Sequence, residues 1–209
     1  GDPEVIALDN GCVCCSLRDD LIAQCNLLAS RDGRPLDGIV VEGSGIAEPL
    51  PIAIGFVNHE LQKAAERKYV GKTLVKSAPP SSKIDTLVTV VDSERFLSDY
   101  KSCIAIGESK QLVKFEGASD TDTRKVVKLL VDQVECANVI VLNKSALVSS
   151  HQLDELKVIL SSLNEGATQI MANYGKVELS QIIATGAFSN DMVTRQRFGS
   201  ARAGAFQST

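Results

Sequence analysis

The chain has 209 residues, 44% of them hydrophobic and 23% charged, which is enough apolar chain for one ordinary α/β core and excludes a mostly disordered protein. A formal net charge of −4 argues against general binding of polyanions, and 4% aromatics with no Trp leave few rings on which nucleic-acid bases could stack. No stretch approaches the roughly 18 apolar residues that a membrane-spanning helix needs. A cytoplasmic protein without nucleic-acid or membrane partners is expected.

Gly1-Asp2-Pro3-Glu4 carries neither the basic nor the apolar region of a signal peptide. With no initiator Met and a strand almost at once, the sequence reads as a piece of a longer protein. Val5-Ile6-Ala7-Leu8 is the first strand expected, and Asn10-Gly11-Cys12-Val13-Cys14-Cys15-Ser16 follows it as a loop. Six cysteines are too few for a disulfide scaffold, yet three of them stand within four positions, which points to thiolate chemistry in a reducing compartment. Cys12 and Cys14 point the same way if the loop is extended. Cys15 adjoins the start of the next helix, whose dipole favours a thiolate. Three soft ligands in one loop suit Zn²⁺ or Cu(I) and leave a fourth position open for a metal that must move on. Cys25, Cys103 and Cys136 are scattered and read as small buried hydrophobes.

Ser16 and Asp19 resemble a capping box, with Leu17, Leu21, Cys25 and Leu28 on one face of the helix that follows. Gly38-Ile39-Val40-Val41-Glu42 is the next expected strand. It ends in a carboxylate, and Gly43-Ser44-Gly45 then turns the chain into a helix started near Pro49. A carboxylate so placed can hold Mg²⁺ or a metal-bound water, as a Walker-B acid does. Residues 61–80 hold five basic side chains against Glu66 and read as a solvated surface loop. Gly71-Lys72-Thr73 within them imitates the end of a phosphate-binding loop. Glu66 stands where its first Gly should be, and no apolar strand precedes it, so that reading is rejected.

Residues 86–92 form another Val-rich strand, ending in Asp92, and residues 98–122 lack periodicity and read as an insertion. Thr123 to Cys136 is an amphipathic helix with Val126, Val127, Leu130, Val131 and Val134 inward. Val139-Ile140-Val141-Leu142-Asn143 is a strand, and Ser150 caps a helix running to about Leu163. Thr168 to Met171 is the last strand, Leu179 to about Ile183 a short helix, and the tail from Met192 is expected to be loose. Continuous apolar strands alternating with helices imply a mostly parallel sheet covered on both faces. Ligands gather beyond the carboxyl ends of such strands, where Glu42, Asp92 and Asn143 fall. Asn143-Lys144 also stands where GTPases carry Asn-Lys-x-Asp, with Ala146 in the position of the Asp.

Taken in order, these segments resemble the CobW-type family of P-loop GTPases, which are metallochaperones and zinc-homeostasis proteins. Cys12 to Leu21 closely match its signature, Asn-Gly-Cys-x-Cys-Cys with a following Ser-Leu-Arg-Asp-Asp-Leu, and residues 41–49 resemble its Walker-B and switch segment. Residues 88–96, 133–144 and 175–188 resemble later segments of its nucleotide domain. The resemblance implies a P-loop-like α/β fold over residues 1–190, incomplete without the Walker-A loop expected upstream, and a flexible tail at 191–209. It implies GTP with Mg²⁺, bound by Ser44, Gly45, Asn143 and Lys144, with Glu42 as the catalytic carboxylate. Zinc would be held by Cys12, Cys14 and Cys15 and delivered to a client metalloprotein. Residues 1–209 alone are expected to be inactive in GTP hydrolysis. The alternative reading is a metal-binding or scaffold module without GTPase activity. A thiol redox protein fits less well, because the Cys-x-x-Cys spacing is missing.

Overall fold

Val139 to Leu142 is apolar without interruption, and all four residues are buried in the central strand of a parallel sheet. The computed structural model describes residues 15–29, 36–69, 82–115, 118–191 and 193. Strands β1 (Val88–Asp92), β2 (Val139–Asn143) and β3 (Thr168–Met171) lie side by side in that order, all parallel, with Asp92 opposite Asn143 and Leu142 opposite Met171. Parallel neighbours need long crossovers. The first runs through α3 (Phe96–Tyr100), α4 (Lys110–Phe115) and α5 (Val126–Glu135), and the second through α6 (Ser150–Leu163).

Side chains alternate between the two faces of β2, and each face has its own apolar cluster. Ile140 and Leu142 join Val91, Phe96, Val134, Leu156 and Leu160 on one side. Val139 and Val141 meet Ala172 on the other, with Ile170, Val177 and Ile182 packed around them. The expected inward residues of α6 all face the first cluster. Its cap is Ser149 and not Ser150: the Ser149 hydroxyl accepts from the Gln152 N–H while Gln152 Oε1 accepts from the Ser149 N–H. The Nδ2 group of Asn164 donates to the carbonyls of Val134, Glu135 and Ala137, closing the turn between α5 and β2.

The described chain divides into two units, residues 1–41 with 51–83, and residues 42–50 with 84–209. Within the first, α1 (Cys15–Ala29) and α2 (Pro49–Tyr69) approach closely at Gly55, where a Cβ would stand 2.5 Å from Arg18 Cδ. Ile22 and Cys25 are buried on α1.

Several expectations need correction. Residues 38–42 form no strand: they carry no regular structure, Val40 is 80% exposed, and no ladder partner stands beside them among the described residues. Apolar sequence supplies side chains for a strand, but only a neighbouring backbone supplies its hydrogen bonds. Residues 61–69, expected as loop, continue α2, since Leu61, Ala64, Ala65 and Glu66 are strong helix formers. The stretch 98–122 contains two helices and a fully buried Ile106, around which Ala118, Val126 and Leu129 cluster. Cys103 is exposed, whereas Cys25 and Cys136 are buried as expected. Leu179–Gln181 is a single 3-10 turn. The expected strand at 5–8 and the tail beyond residue 193 lie outside the described residues.

Candidate functional site

All strands of a parallel sheet end at one rim, so the side chains that follow β1, β2 and β3 converge there. Lys144 leaves β2 in the left-handed conformation, φ 59°, and its Nζ donates to Asp92 Oδ2 at 2.6 Å. Asp92 Oδ1 accepts from the Glu94 N–H at 3.1 Å, and the Asn143 carbonyl accepts from the Ser93 N–H at 3.0 Å. These bonds tie the first loop to the second.

The second loop is tied to the third in the same way. Asn143 Oδ1 accepts from the Gly175 N–H at 3.0 Å, and Asn173 Oδ1 accepts from the Ala146 N–H at 2.9 Å. Asn173 Nδ2 reaches the Ser145 hydroxyl at 3.2 Å, which itself donates to the Ala172 carbonyl. Between the two asparagine contacts, Tyr174 is held at φ 55° and is 94% exposed, followed by Gly175 at φ 66°. A left-handed Tyr is strained, and such strain persists only where its surroundings impose it.

The turn at 43–49 belongs to the same unit. The Ala47 N–H closes it on the Ser44 carbonyl at 2.9 Å, and a Cβ on Gly43 would come within 3.1 Å of Ala47 Cβ. Gly45 lines a cavity of about 160 Å³ together with Asp92, Arg95, Asp99 and Gln133. Burial pushes the Asp99 carboxyl up, Arg95 opposes this, and Asp92 adds to it. At the far end of the turn Glu48 accepts from Arg124, whose guanidinium also forks onto Asp122. The Arg124 hydrogen bond is the main reason the Asp122 carboxyl lies below the usual range.

The structure thus brings Asn143 and Lys144 together with Asp92, and sets Gly45 on the wall of a cavity that Asp92 also lines. Glu42 and Ser44 are exposed at the start of the turn. Cys15 is the first residue of α1, and Cys12 and Cys14 lie outside the described residues. Among the described residues no three His, Cys, Asp or Glu side chains gather as a metal site. Asn173, Tyr174 and Gly175 join this rim without a sequence motif to mark them, although a polar residue just past the third strand repeats the pattern of Asp92 and Asn143.

Parallel strands, helical crossovers and a polar carboxyl rim are those of an α/β fold of the P-loop NTPase-like kind, in agreement with the family match that follows. The chain belongs to the CobW/HypB/UreG family, whose nucleotide-binding domain matches residues 1–171. It is 36% identical over 184 residues to zinc-regulated GTPase metalloprotein activator 1 of Dictyostelium discoideum, covering 88% of this chain and 35% of that protein. It is 27% identical over 202 residues to the zinc chaperone CobW of a Sinorhizobium species, covering 94% of this chain and 50% of the relative. The activator of the same name from Schizosaccharomyces pombe is 27% identical over 189 residues. The chain therefore spans between a third and a half of these relatives. No solved structure gives a significant match. No described helix is long and apolar enough to cross a membrane.

Proposed function

We propose that this chain is the larger part of a GTP-dependent zinc metallochaperone domain, residues 1–190, in a cytoplasmic protein that passes zinc to a client metalloprotein. One observation carries the nucleotide half of the reading: Asn143, Lys144, Asn173 and Gly175 are cross-linked into a single rim at the carboxyl ends of β1, β2 and β3. Asn143 bridges the loops that would flank a base, and the Lys144 stem would cover its ring. Glu42 and Asp92 offer the hard carboxylate oxygens that Mg²⁺ takes, and that ion, when bound with GTP, neutralises charge developing on the β- and γ-phosphates. Glu42 is the carboxylate assigned to orienting the attacking water, and Ser44 and Gly45 present backbone to the phosphates.

Zinc is the cargo, taken by the Cys12, Cys14 and Cys15 thiolates, a donor set that suits this borderline-soft cation. The second reading is a metal-binding or scaffold module without GTPase activity, and Ala146 in place of the guanine-reading Asp favours it. Zinc and nucleotide titrations of the reduced full-length protein test both. Cys14→Ser is expected to abolish stoichiometric zinc binding while Cys103→Ser keeps it, and Asn143→Ala is expected to weaken GTP. Equal zinc content in the two cysteine variants refutes the metal assignment. Zinc uptake without nucleotide binding or turnover leaves the scaffold reading standing.

A further inference from the structure

Gln133 makes contacts that neither the zinc nor the nucleotide assignment uses. It sits in the last turn of α5, half-buried, and its two ends hold different parts of the unit. Its main-chain carbonyl accepts from the Thr89 hydroxyl of β1 at 2.7 Å. Its side-chain Nε2 donates to the Gly45 carbonyl at 2.8 Å and to the Ala47 carbonyl at 3.0 Å. Both acceptors are carbonyl oxygens, so only the amide nitrogen can face them, and the orientation of the amide follows from its partners. Ile46, between the two acceptors, packs on the Ile106 cluster. The turn from Gly43 to Pro49 therefore stands in register with β1 through one glutamine.

We infer that Gln133 is a positioning residue for nucleotide hydrolysis: it fixes the Gly43–Pro49 turn so that Glu42 and Gly45 stay aligned with the strand-end rim. The inference rests on the reading of that turn as the phosphate-side switch. Holding a reacting group in place contributes to the rate only while the geometry is kept, so loosening the turn lowers turnover more than it lowers nucleotide affinity. Chemistry also ranks the substitutions. Gln133→Met keeps the length and loses both donors. Gln133→Glu keeps the shape and turns a carboxylate oxygen onto two carbonyls, which repels. Gln133→Asn keeps an amide but is one methylene too short to reach both.

The test uses the full-length protein with two readouts, amide hydrogen exchange over residues 43–48 and GTP turnover. Exchange protection of Ala47, whose N–H closes the turn, should fall roughly tenfold in Met and Asn and further in Glu, as expected for lost neutral hydrogen bonds. The kcat should fall in the same order, parent above Met and Asn, and these above Glu, with KM for GTP changed less than twofold. A merely space-filling side chain would leave Met equal to the parent and kcat and KM moving together. Unchanged Ala47 exchange in the Met and Asn variants overturns the inference, as does unchanged kcat in a parent that hydrolyses GTP. A parent with no turnover overturns the GTPase reading instead, and the exchange arm still decides whether Gln133 holds the turn. Should the Glu variant fail to fold, Met and Asn carry both comparisons.

Discussion

Replacing Ala146 by Asp is the sharpest perturbation of base choice. Ala146 lies in the 3-10 turn Ser145–Leu147, exposed, with its own N–H fixed on Asn173 Oδ1 at 2.9 Å. The loop is therefore already ordered, and an added carboxylate loses little conformational freedom when it meets a ligand. A charged acceptor facing the donors of a guanine edge contributes about 1.5–3 kcal/mol. That corresponds to about 10- to 100-fold in affinity. Adenine presents no matching pair of donors, so ATP should change little. Competition titrations of GTP against ATP at matched Mg²⁺, on the full-length parent and its Ala146→Asp variant, measure the difference. A parent that already prefers GTP by several hundred-fold would mean that another group supplies the acceptor. Equal gains for both nucleotides would mean a general effect on the loop and would refute the base-reading argument.

Leu156→Ala should cost about 2–5 kcal/mol in urea unfolding, because Leu156 is fully buried in the main cluster, while Val158→Ala, 69% exposed on the same helix, should stay within about 0.5 kcal/mol. Asp85 accepts from the Thr86 hydroxyl, which is the main reason its carboxyl lies below the usual range, and from the Thr185 and Gly186 N–H groups. A depressed folded pKa means that its stabilisation is present above about pH 4 and fades as pH falls through the folded value. Asp85→Asn should therefore lower the melting temperature at pH 7, and the gap should close in acid; a gap independent of pH would contradict this. Asn173→Ala strips the Ala146 N–H and the Ser145 hydroxyl of a partner at a solvent-accessible site. Its thermal cost should be near 1 kcal/mol, and its loss of GTP affinity should exceed that of an exposed control such as Val158→Ala.

The sequence was most legible where one side chain pattern admits one answer. Val139 to Leu142 is apolar at every position, short and rich in β-branched residues, which suits a strand covered on both faces, and the structure buries all four. The helix at 150–163 was equally plain, because five leucine and isoleucine positions fall on one face. The run at 38–42 has the same composition, yet strand formation depends on a neighbour that no local pattern reveals. The stretch 98–122 hid its order for a different reason. Ile106 is buried where Ala105 bridges Lys125, its own N–H donates to the Arg124 carbonyl and the Gly107 N–H donates to the Asp122 carbonyl, contacts distant in sequence that leave no periodic trace. At the rim, Asp92 and Asn143 are legible because each ends a short strand rich in Val and other β-formers. Asn173 is not, because Ala172 separates it from β3 and its role arises from the loop it faces.

The rim residues share a physical origin. When a strand ends, the loop that follows leaves the ladder, and its amides need other acceptors. Asp92 supplies one to Glu94, Asn143 one to Gly175, and Asn173 one to Ala146. Each of these side chains reaches across or along the rim, so the three loops form one hydrogen-bonded edge. Lys144 is the exception, since its ammonium can only donate and it is spent on Asp92. With both partners partly exposed, that pair is worth little by itself. On the proposed nucleotide reading, a ligand that engaged Lys144 would break this pair at small cost and would leave an Asp92 carboxylate oxygen open to a cation. The asparagine contacts, by contrast, hold the backbone of the rim itself, and losing them would loosen all that the rim carries.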